Sequence, residues 1–597
     1  MSPTELLATT PLLAVAFPFG MDNIRLSLLH TYFLFPFSIN SARLMSGNEE
    51  YWVNTPHWLD GFEKWLNVCA RTDRAGVRSV LGSWQRDSYT EFGMDTRAYE
   101  DMVFFHPFVR HVFFDTQNAG TDPTLALIRC YVIPLRGKEV TLNATDNTGT
   151  NHSVRVTELR MFVFANGIGI LSIGVEAHNI SVKEALWINE QMRKVYPSSG
   201  RQRREGRIPP SVSLSVKVNG SQVELVRETF EGAGMVGLEP PLSGIIRRLL
   251  YFINYDTHEY EQVLDERAIV YSYFDVDQSS VSPDFIKSQD FQVLLSLLLY
   301  VDQYSDTFRY DPNFTHGLMS KQVYSRWAHE GTYYGYTAYS NVTLTIGYGD
   351  RGGHRMSEGF LIHRMFTTRY YLMAIVALFY RATLLMFNEK VALVSKSLYS
   401  DLQRGEYRRD NIDLAQTLRG EYLHFTNYWF FEELANKDEE SEHFRLQSEQ
   451  YRLEDMKREV EQELASLNGS LNEFYQTRNT SAVNRLAMLS LIFGAGAIIT
   501  GFFGMNFGRR FSELFFEPSS NPIAHDVAIT LVSLFTLGAL FFGLYVIFVN
   551  WNDYGYILSP GKRRRRRRVR LHGNVDLVGT PTTENPNAPP LNENPKD

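Results

Sequence analysis

Apolar residues concentrate in two runs, 483–503 and 527–549, whose pattern differs from the rest of the chain. The first carries one charge, Arg485, and then 18 uncharged residues from 486 to 503, enough to cross hydrocarbon as a helix. The second has 23 residues without a charge, rich in Leu, Phe and Val. Upstream, Leu453, Met456, Val460, Leu464, Leu467, Leu471 and Phe474 recur at steps of three and four among Glu, Lys, Arg and Gln, which predicts an amphipathic helix. No proline falls between Asn436 and Phe516. One helix is therefore expected from about Glu442 through the first run to Phe503, roughly 90 Å at ~1.5 Å per residue. Its apolar stripe needs a partner, either copies of itself or a neighbouring helix, and a coiled-coil spacer is the plain alternative.

A third apolar segment, 370–387, would be long enough to span a membrane but carries Arg381 near its middle, which is expensive in lipid. It is read as a long buried or amphipathic helix of the soluble part; as a span it would put the preceding domain outside. Strand-like runs dominate further upstream: 161–164 and 168–175 around the hairpin signal Asn166-Gly167, then 212–218, 268–275 and 342–346. Helical patterns occupy 291–301 and 360–398. The expected fold class is an α+β or mixed α/β soluble domain, with strands too few for a large barrel, followed by a long stalk helix and two transmembrane helices.

Composition alone hides the membrane part, because 44% hydrophobic and 21% charged residues are ordinary for a globular protein. Charge is more informative. The net charge of −8 includes eight basic residues within 562–570, leaving −16 for the remainder. The loop 507–526 is nearly balanced, with Arg509, Arg510, Glu513, Glu517, His525 and Asp526. The excess of Lys and Arg after the second run puts that end, and with two spans the N-terminal bulk, in the cytoplasm. The run Arg563 to Arg568 is also suited to anionic lipids of the inner leaflet, and no nucleic-acid partner is expected. Residues 1–20 lack a basic start and are interrupted by Pro3, Pro11 and Pro18, so they are not read as a signal peptide. Cys69 and Cys130 exclude a disulfide framework and have no zinc-site spacing. Beyond Leu571 the chain has little to bury and is expected to be disordered.

The first apolar run ends in Gly501-Phe502-Phe503-Gly504-Met505-Asn506-Phe507. A stalk helix that becomes a span ending in Gly504-Met505-Asn506, then a short loop, a last span and a basic end, resembles the CorA superfamily of magnesium and related divalent-cation channels. The resemblance covers roughly 442–570. It implies a homo-oligomer, a pentamer, with Asn506 side chains and Gly504 carbonyls ringing the outer mouth as a selectivity filter and Met505 packing the loop. Where the family often has a Tyr before the motif and a Pro-Leu-Thr stretch one and a half to two turns earlier, this chain has Phe503 and Ala495-Gly496-Ala497.

The chemistry is consistent with the residues. Magnesium holds its water tightly, so a ring of neutral oxygens that accepts hydrogen bonds from hydration water avoids stripping it. Carbonyls at a helix C-terminus attract cations. One helical face back from Asn506 gives Gly501, Ala497, Gly494, Ser490, Leu486 or Ala487, and Val483, the expected pore stripe, with Leu486 and Val483 as an apolar constriction. The small residues also suit close helix packing. Arg509 and Arg510 oppose cations unless Glu513 and Glu517 neutralise them.

Other patterns are weaker. Gly347 to Gly352 fits G-x-G-x-x-G after a strand, but 353–356 do not read as an immediate helix and no P-loop Lys follows, so a turn is expected. His106 and His111 are read as surface histidines. Asp438, Glu439, Glu440 and Glu442, or Asp275 with Asp277, are candidates for a cytoplasmic ion sensor, with solvated charge the expectation. No enzyme constellation is found.

These observations predict a soluble domain at 1–410, stalk helices at 411–482, a first span at 483–507, an outer loop at 508–526, a second span at 527–549 and a basic tail at 550–597. The expected function is a multi-pass channel of the cell inner (plasma) membrane for Mg2+, or for Zn2+, Co2+ or Ni2+, without catalysis or cofactor. A non-conducting membrane-anchored sensor or interaction protein is the rival from another class, and an anchored enzyme has no motif behind it.

Overall fold

The computed structural model describes residues 23–506, apart from the internal segments 73–79, 93–101, 117–126, 196–207, 230–241, 304–309, 349–353 and 405–407 and positions 54, 56, 219, 265 and 266. It also describes scattered helical positions between 523 and 545. The chain divides into two compact units, Met1–Leu464 and Ala465–Asp597.

The first unit is built on a 13-stranded mixed sheet. Its strands are β1 (Arg25–Ile39), β2 (Gln85–Asp87), β5 (Ile128–Ile133), β6 (Glu139–Thr145), β7 (Asn151–Phe164), β8 (Ile168–Ser181), β9 (Ser211–Val218), β10 (Ser221–Glu228), β11 (Tyr260–Gln262), β12 (Ile269–Val276), β13 (Val323–Tyr324), β14 (Thr332–Tyr336) and β15 (Ser340–Ile346). The short strands β3 (Glu91–Phe92) and β4 (Asp115–Thr116) pair separately. The long path runs β10-β9-β6-β7-β8-β1-β12-β15-β14-β13 and is open at both ends, so many strands do not make a barrel here. β12 and β15 pair in parallel; the other pairings of this sheet are antiparallel.

β1 is the central strand and was not among the sequence-predicted ones. Nearly all of its residues are buried, on both faces, so it reads as a continuous apolar run rather than as an alternation. Pro36 lies in the gap between the β12 pairing, which ends at Leu34, and the β11 pairing, which begins at Phe37. The β7–β8 hairpin turns at Asn166-Gly167 as expected. Gly167 has φ +88°, and a Cβ there would stand 2.8 Å from the Ile39 carbonyl oxygen.

The two faces of the sheet differ. One is apolar and carries the main core, against α2 (Trp58–Thr72), α4 (Val182–Met192), α5 (Gly244–Leu249) and α6 (Gln289–Tyr300); α1 (Ser41–Met45) precedes α2, and α3 (Pro107–Phe113) lies between α2 and α4 in the chain. α4 starts on Ser181, whose side chain accepts from the Glu184 N–H. It is tied to the sheet where Thr31 Oγ1 donates to Asn189 Oδ1, 3.0 Å, and Asn189 Nδ2 donates to Ser272, 3.1 Å. The other face presents His30, Tyr32, Ser172, Tyr271 and Tyr273 to α8 (His354–Thr367) and α9 (Arg369–Gln403). Tyr32 and Tyr371 stack at 4.5 Å, and Tyr371 OH donates to Ser172 Oγ at 2.5 Å.

Leu361–Gln403 is, among the described residues, the helical stretch long and apolar enough to cross a membrane, yet 89% of its apolar window is buried inside the fold. Arg381 explains the interrupted pattern: its guanidinium donates to the Ala338 carbonyl and lies 4.9 Å over the Tyr451 ring. The segment is a core helix, as expected from its arginine.

α7 (Pro312–Gln322) precedes β13, and α10 (Arg409–His424), α11 (Asp438–Tyr451) and α12 (Leu453–Asn506) follow α9. Two expectations need correction. A helix does open soon after Gly347, at His354, with residues 349–353 outside the described ones. Among the described residues the chain then continues into α9 to α12 and not into a further strand, so no βαβ unit is seen to follow this turn. The helix expected from Glu442 is also broken: Arg452, at φ 55°, ends α11 in the left-handed conformation before α12 begins.

Candidate functional site

The helix that carries the Gly504-Met505-Asn506 motif is α12, 54 residues without interruption. In its first part Leu453, Val460, Leu464 and Leu471 are buried and Met456, Leu467 and Phe474 half-buried, which is the predicted stripe. Tyr422 OH donates to the Lys457 carbonyl at 2.8 Å, and the Lys457 ammonium lies 4.8 Å over the Phe430 ring.

Ahead of α12, α11 is locked to α9, to Trp327 and to β13 by the acidic run that was expected to be solvated. Glu440 is 3% exposed and accepts from Arg369 at 3.0 Å, whose guanidinium lies over Phe104. Glu439 accepts from Trp327 Nε1 at 3.1 Å and Tyr370 OH at 3.2 Å. Burial pushes the Glu439 carboxyl up, but His443 and these donors hold it below the usual range. Glu442 accepts from Tyr324 OH at 2.6 Å. His443, buried among Tyr324, Tyr334, Tyr336 and Tyr370, meets the Tyr336 hydroxyl at 2.6 Å. Burial pushes this imidazole down, against the pull of Glu439. Only Asp438 fits the solvated reading. Asp275 is likewise buried, accepting from Thr345 Oγ1 at 2.9 Å, and Asp277 caps a short turn through Ser279. These carboxylates are therefore engaged by protein donors rather than gathered around an ion. Among the described residues no three His, Cys, Asp or Glu side chains converge to hold a metal.

Farther along α12, Val483, Leu486, Ala487, Ser490, Phe493, Gly494 and Ala497 are exposed within the chain. Their spacing of one, three or four puts them on one helical face, which contains the predicted stripe positions Val483, Leu486, Ser490, Gly494 and Ala497. Val483 is 62% and Leu486 50% exposed, a large apolar surface for a single chain. A methyl group added at Gly494 or Gly496 would meet no described atom within 4 Å, so packing against the described residues does not require glycine at either position. Gly501, Gly504, Met505 and Asn506 are helical, and α12 ends on Asn506, which directs the carbonyls of its last turn along the axis beyond the motif.

Among the described positions after this, Ile523, Val527, Leu531, Leu534, Leu537, Phe541 and Tyr545 are helical and exposed, and recur every three or four residues. All but Ile523 fall on the second apolar run. The loop charges Arg509, Arg510, Glu513 and Glu517, the basic run Arg563 to Arg568 and the tail lie outside the described residues.

Residues 407–543 match the family model described as CorA-like Mg2+ transporter protein. No curated protein matches the chain. Among solved structures, the complete CorA magnesium transporter from Methanocaldococcus jannaschii is similar at 15% identity over 52% of this chain and 95% of that one, with a TM-score of 0.20, too low to establish a common architecture.

Proposed function

We propose that this chain, whose residues 407–543 match the CorA-like Mg2+ transporter family, is a membrane channel for divalent metal cations, with magnesium as the principal ion. The observation that carries the proposal is the coincidence of that match with one unbroken helix that ends on Asn506. In this reading five copies assemble, α12 lines the pore with Val483, Leu486, Ser490, Gly494, Ala497 and Gly501, and the second apolar run forms the outer helix. Asn506 side chains and Gly504 carbonyls accept hydrogen bonds from the ion's hydration shell, so the shell need not be removed. Met505, a soft thioether, packs rather than ligates.

Leu486 and Val483 then make an apolar constriction near the cytoplasmic end. Glu513 and Glu517 offset Arg509 and Arg510 at the outer mouth. Both termini face the cytoplasm of an inner-membrane protein, and Arg563 to Arg568 bind anionic lipid headgroups. The large first unit biases the long helices between closed and open arrangements.

Flux into proteoliposomes tests this directly. The wild-type chain is expected to pass Mg2+ and, comparatively, Zn2+, Co2+ and Ni2+, and Asn506→Ala is expected to lose selective flux while keeping its oligomeric state. Unchanged flux and selectivity in Asn506→Ala would remove the proposed filter. A purified wild-type oligomer that passes none of the four ions would favour a non-conducting membrane-anchored sensor.

A further inference from the structure

α11, the helix that leads into α12, is held by a contact that a proton can break. His443 is 2% exposed, in a cage made by Tyr324 from β13, Tyr334 and Tyr336 from β14 and Tyr370 from α9. Its Nδ1 lies 2.6 Å from the Tyr336 hydroxyl, whose hydrogen-bond partner among the described residues it is. A buried phenol needs an acceptor, so Nδ1 accepts and the neutral ring carries its proton on Nε2. Nε2 itself has no hydrogen-bond partner; the Glu439 carboxylate, 3.8 Å away, is out of reach.

The other groups around the ring are already engaged. Glu440 accepts from Arg369 at 3.0 Å, and Glu442 accepts from Tyr324 with Arg326 3.6 Å away. Burial raises the phenols of Tyr324, Tyr334, Tyr336 and Tyr370, so all four stay neutral at ordinary pH. Glu439, which Trp327 and Tyr370 hold in its charged form, is the carboxylate facing the ring. It favours an imidazolium, but burial outweighs it and lowers His443.

A proton on Nδ1 takes the lone pair that Tyr336 uses and sets an N–H against an O–H. Tyr336 has somewhere else to turn. Asn341 stands opposite it in the β14–β15 register, with a buried Oδ1 that has no hydrogen-bond partner, and both residues line one cavity of about 10 Å3 beside His443. The sheet side can therefore be satisfied again, whereas the ring keeps a buried charge and loses its tie to β14. We infer that His443 is a proton-operated latch on α11: the neutral imidazole holds the helix to Tyr336, and acidification releases it. A released imidazole titrates near 6.5 and the docked one lower. Docking is thus complete above about pH 6.5 and weakens by up to about tenfold for each pH unit below it, until the docked ring also protonates. Because α11 passes into α12 at Arg452, the release reaches the start of the long helix. The latch concerns the docking of α11 and stands whether or not the chain conducts.

Hydrogen–deuterium exchange of the full chain in detergent, corrected for intrinsic amide rates, tests this between pH 7.5 and pH 5. In the wild type, protection of α11 peptides is expected to fall about tenfold per pH unit below about 6.5, while peptides of the β7–β8 hairpin keep theirs. His443→Gln retains an acceptor for Tyr336 and does not titrate, and its α11 protection is expected to stay level across the range. The exposed His316→Ala is expected to behave as the wild type. Tyr336→Phe removes the donor that favours the neutral ring, so it is expected to lose α11 protection already at pH 7.5 and to show a smaller further fall on acidification. If His443→Gln leaves α11 unprotected at pH 7.5, Tyr336→Phe decides, and an undiminished fall in it overturns the inference. Level α11 protection in the wild type, an equal fall in a docked His443→Gln, or a fall shared by the hairpin overturns it as well.

Discussion

At Glu190 one carboxylate answers three cations: Arg193 Nε donates at 2.9 Å, Lys194 at 2.7 Å, and Arg267 stands 3.7 Å away. Burial would raise this carboxyl, yet Arg193, Lys194 and Arg267 together hold it below the usual range. Arg193 and Lys194 are buried and themselves pushed down by desolvation, so each depends on the charge of Glu190. A carboxyl with a depressed folded value contributes stability that is present above its unfolded value, about 4.3, and is lost as pH falls through the folded one. Glu190→Gln is therefore expected to unfold at lower urea than the wild type at pH 7, with the difference shrinking below about pH 4. Urea titrations followed by tryptophan fluorescence across pH check this; a difference constant down to pH 3 would assign the loss to shape rather than charge. Nothing in the sequence around Glu190 announces this role. Arg193 and Lys194 follow Glu190 by three and four residues at the end of α4, but Arg267 arrives from the residues just before β12, a contact only the fold supplies.

The ties between α11 and its neighbours are polar and numerous, and the Arg369–Glu440 ion pair, which joins it to α9, is largely buried, with side-chain exposures of 18% and 4%. Removing one partner leaves the other charged and desolvated, which costs about 3–5 kcal/mol in comparable pairs, whereas replacing both with apolar residues is often close to neutral. Glu440→Ala is expected to lower the unfolding temperature of the first unit clearly, and Arg369→Met with Glu440→Leu to recover most of the loss, both read by calorimetry in detergent. Elements of this kind were legible to different degrees. The β7–β8 hairpin announced itself by Asn166-Gly167, and the stripe of α12 by its spacing, because local geometry and one-sided burial write directly into the sequence. β1 was not legible because burial on both faces erases alternation. The acidic run of α11 was misread because Asp438, Glu439, Glu440 and Glu442 look like any solvated helix start until Tyr324, Trp327, Arg369 and Tyr370 are brought to them from distant strands and α9. The break at Arg452 carries neither Gly nor Pro, so only its left-handed backbone reveals it.

On the scale of the whole molecule, the two ends of α12 obey different requirements. Its first part buries Leu453, Val460 and Leu464 within the first unit, while the face from Val483 to Ala497 is exposed in the single chain. Small residues on such a face allow close approach between helices in a membrane, where dispersion contacts and polar pairing replace the hydrophobic effect as the drive to associate. In the proposed assembly the cost of a bulky residue at Gly494 falls on the assembly and its pathway rather than on the fold of the first unit, because no described atom lies within 4 Å of a Cβ there. Gly494→Leu is then expected to leave the unfolding transition of the first unit unchanged and to abolish ion flux in proteoliposomes, whereas Gly420→Ala, on α10 with equally open surroundings, leaves both unchanged. Oligomeric state measured by light scattering distinguishes two routes to the loss: a smaller particle means that Gly494 is a helix-packing position, and an intact oligomer without flux means that the added side chain fills the pore. Normal flux from an intact Gly494→Leu oligomer would move the pore stripe to another face of α12.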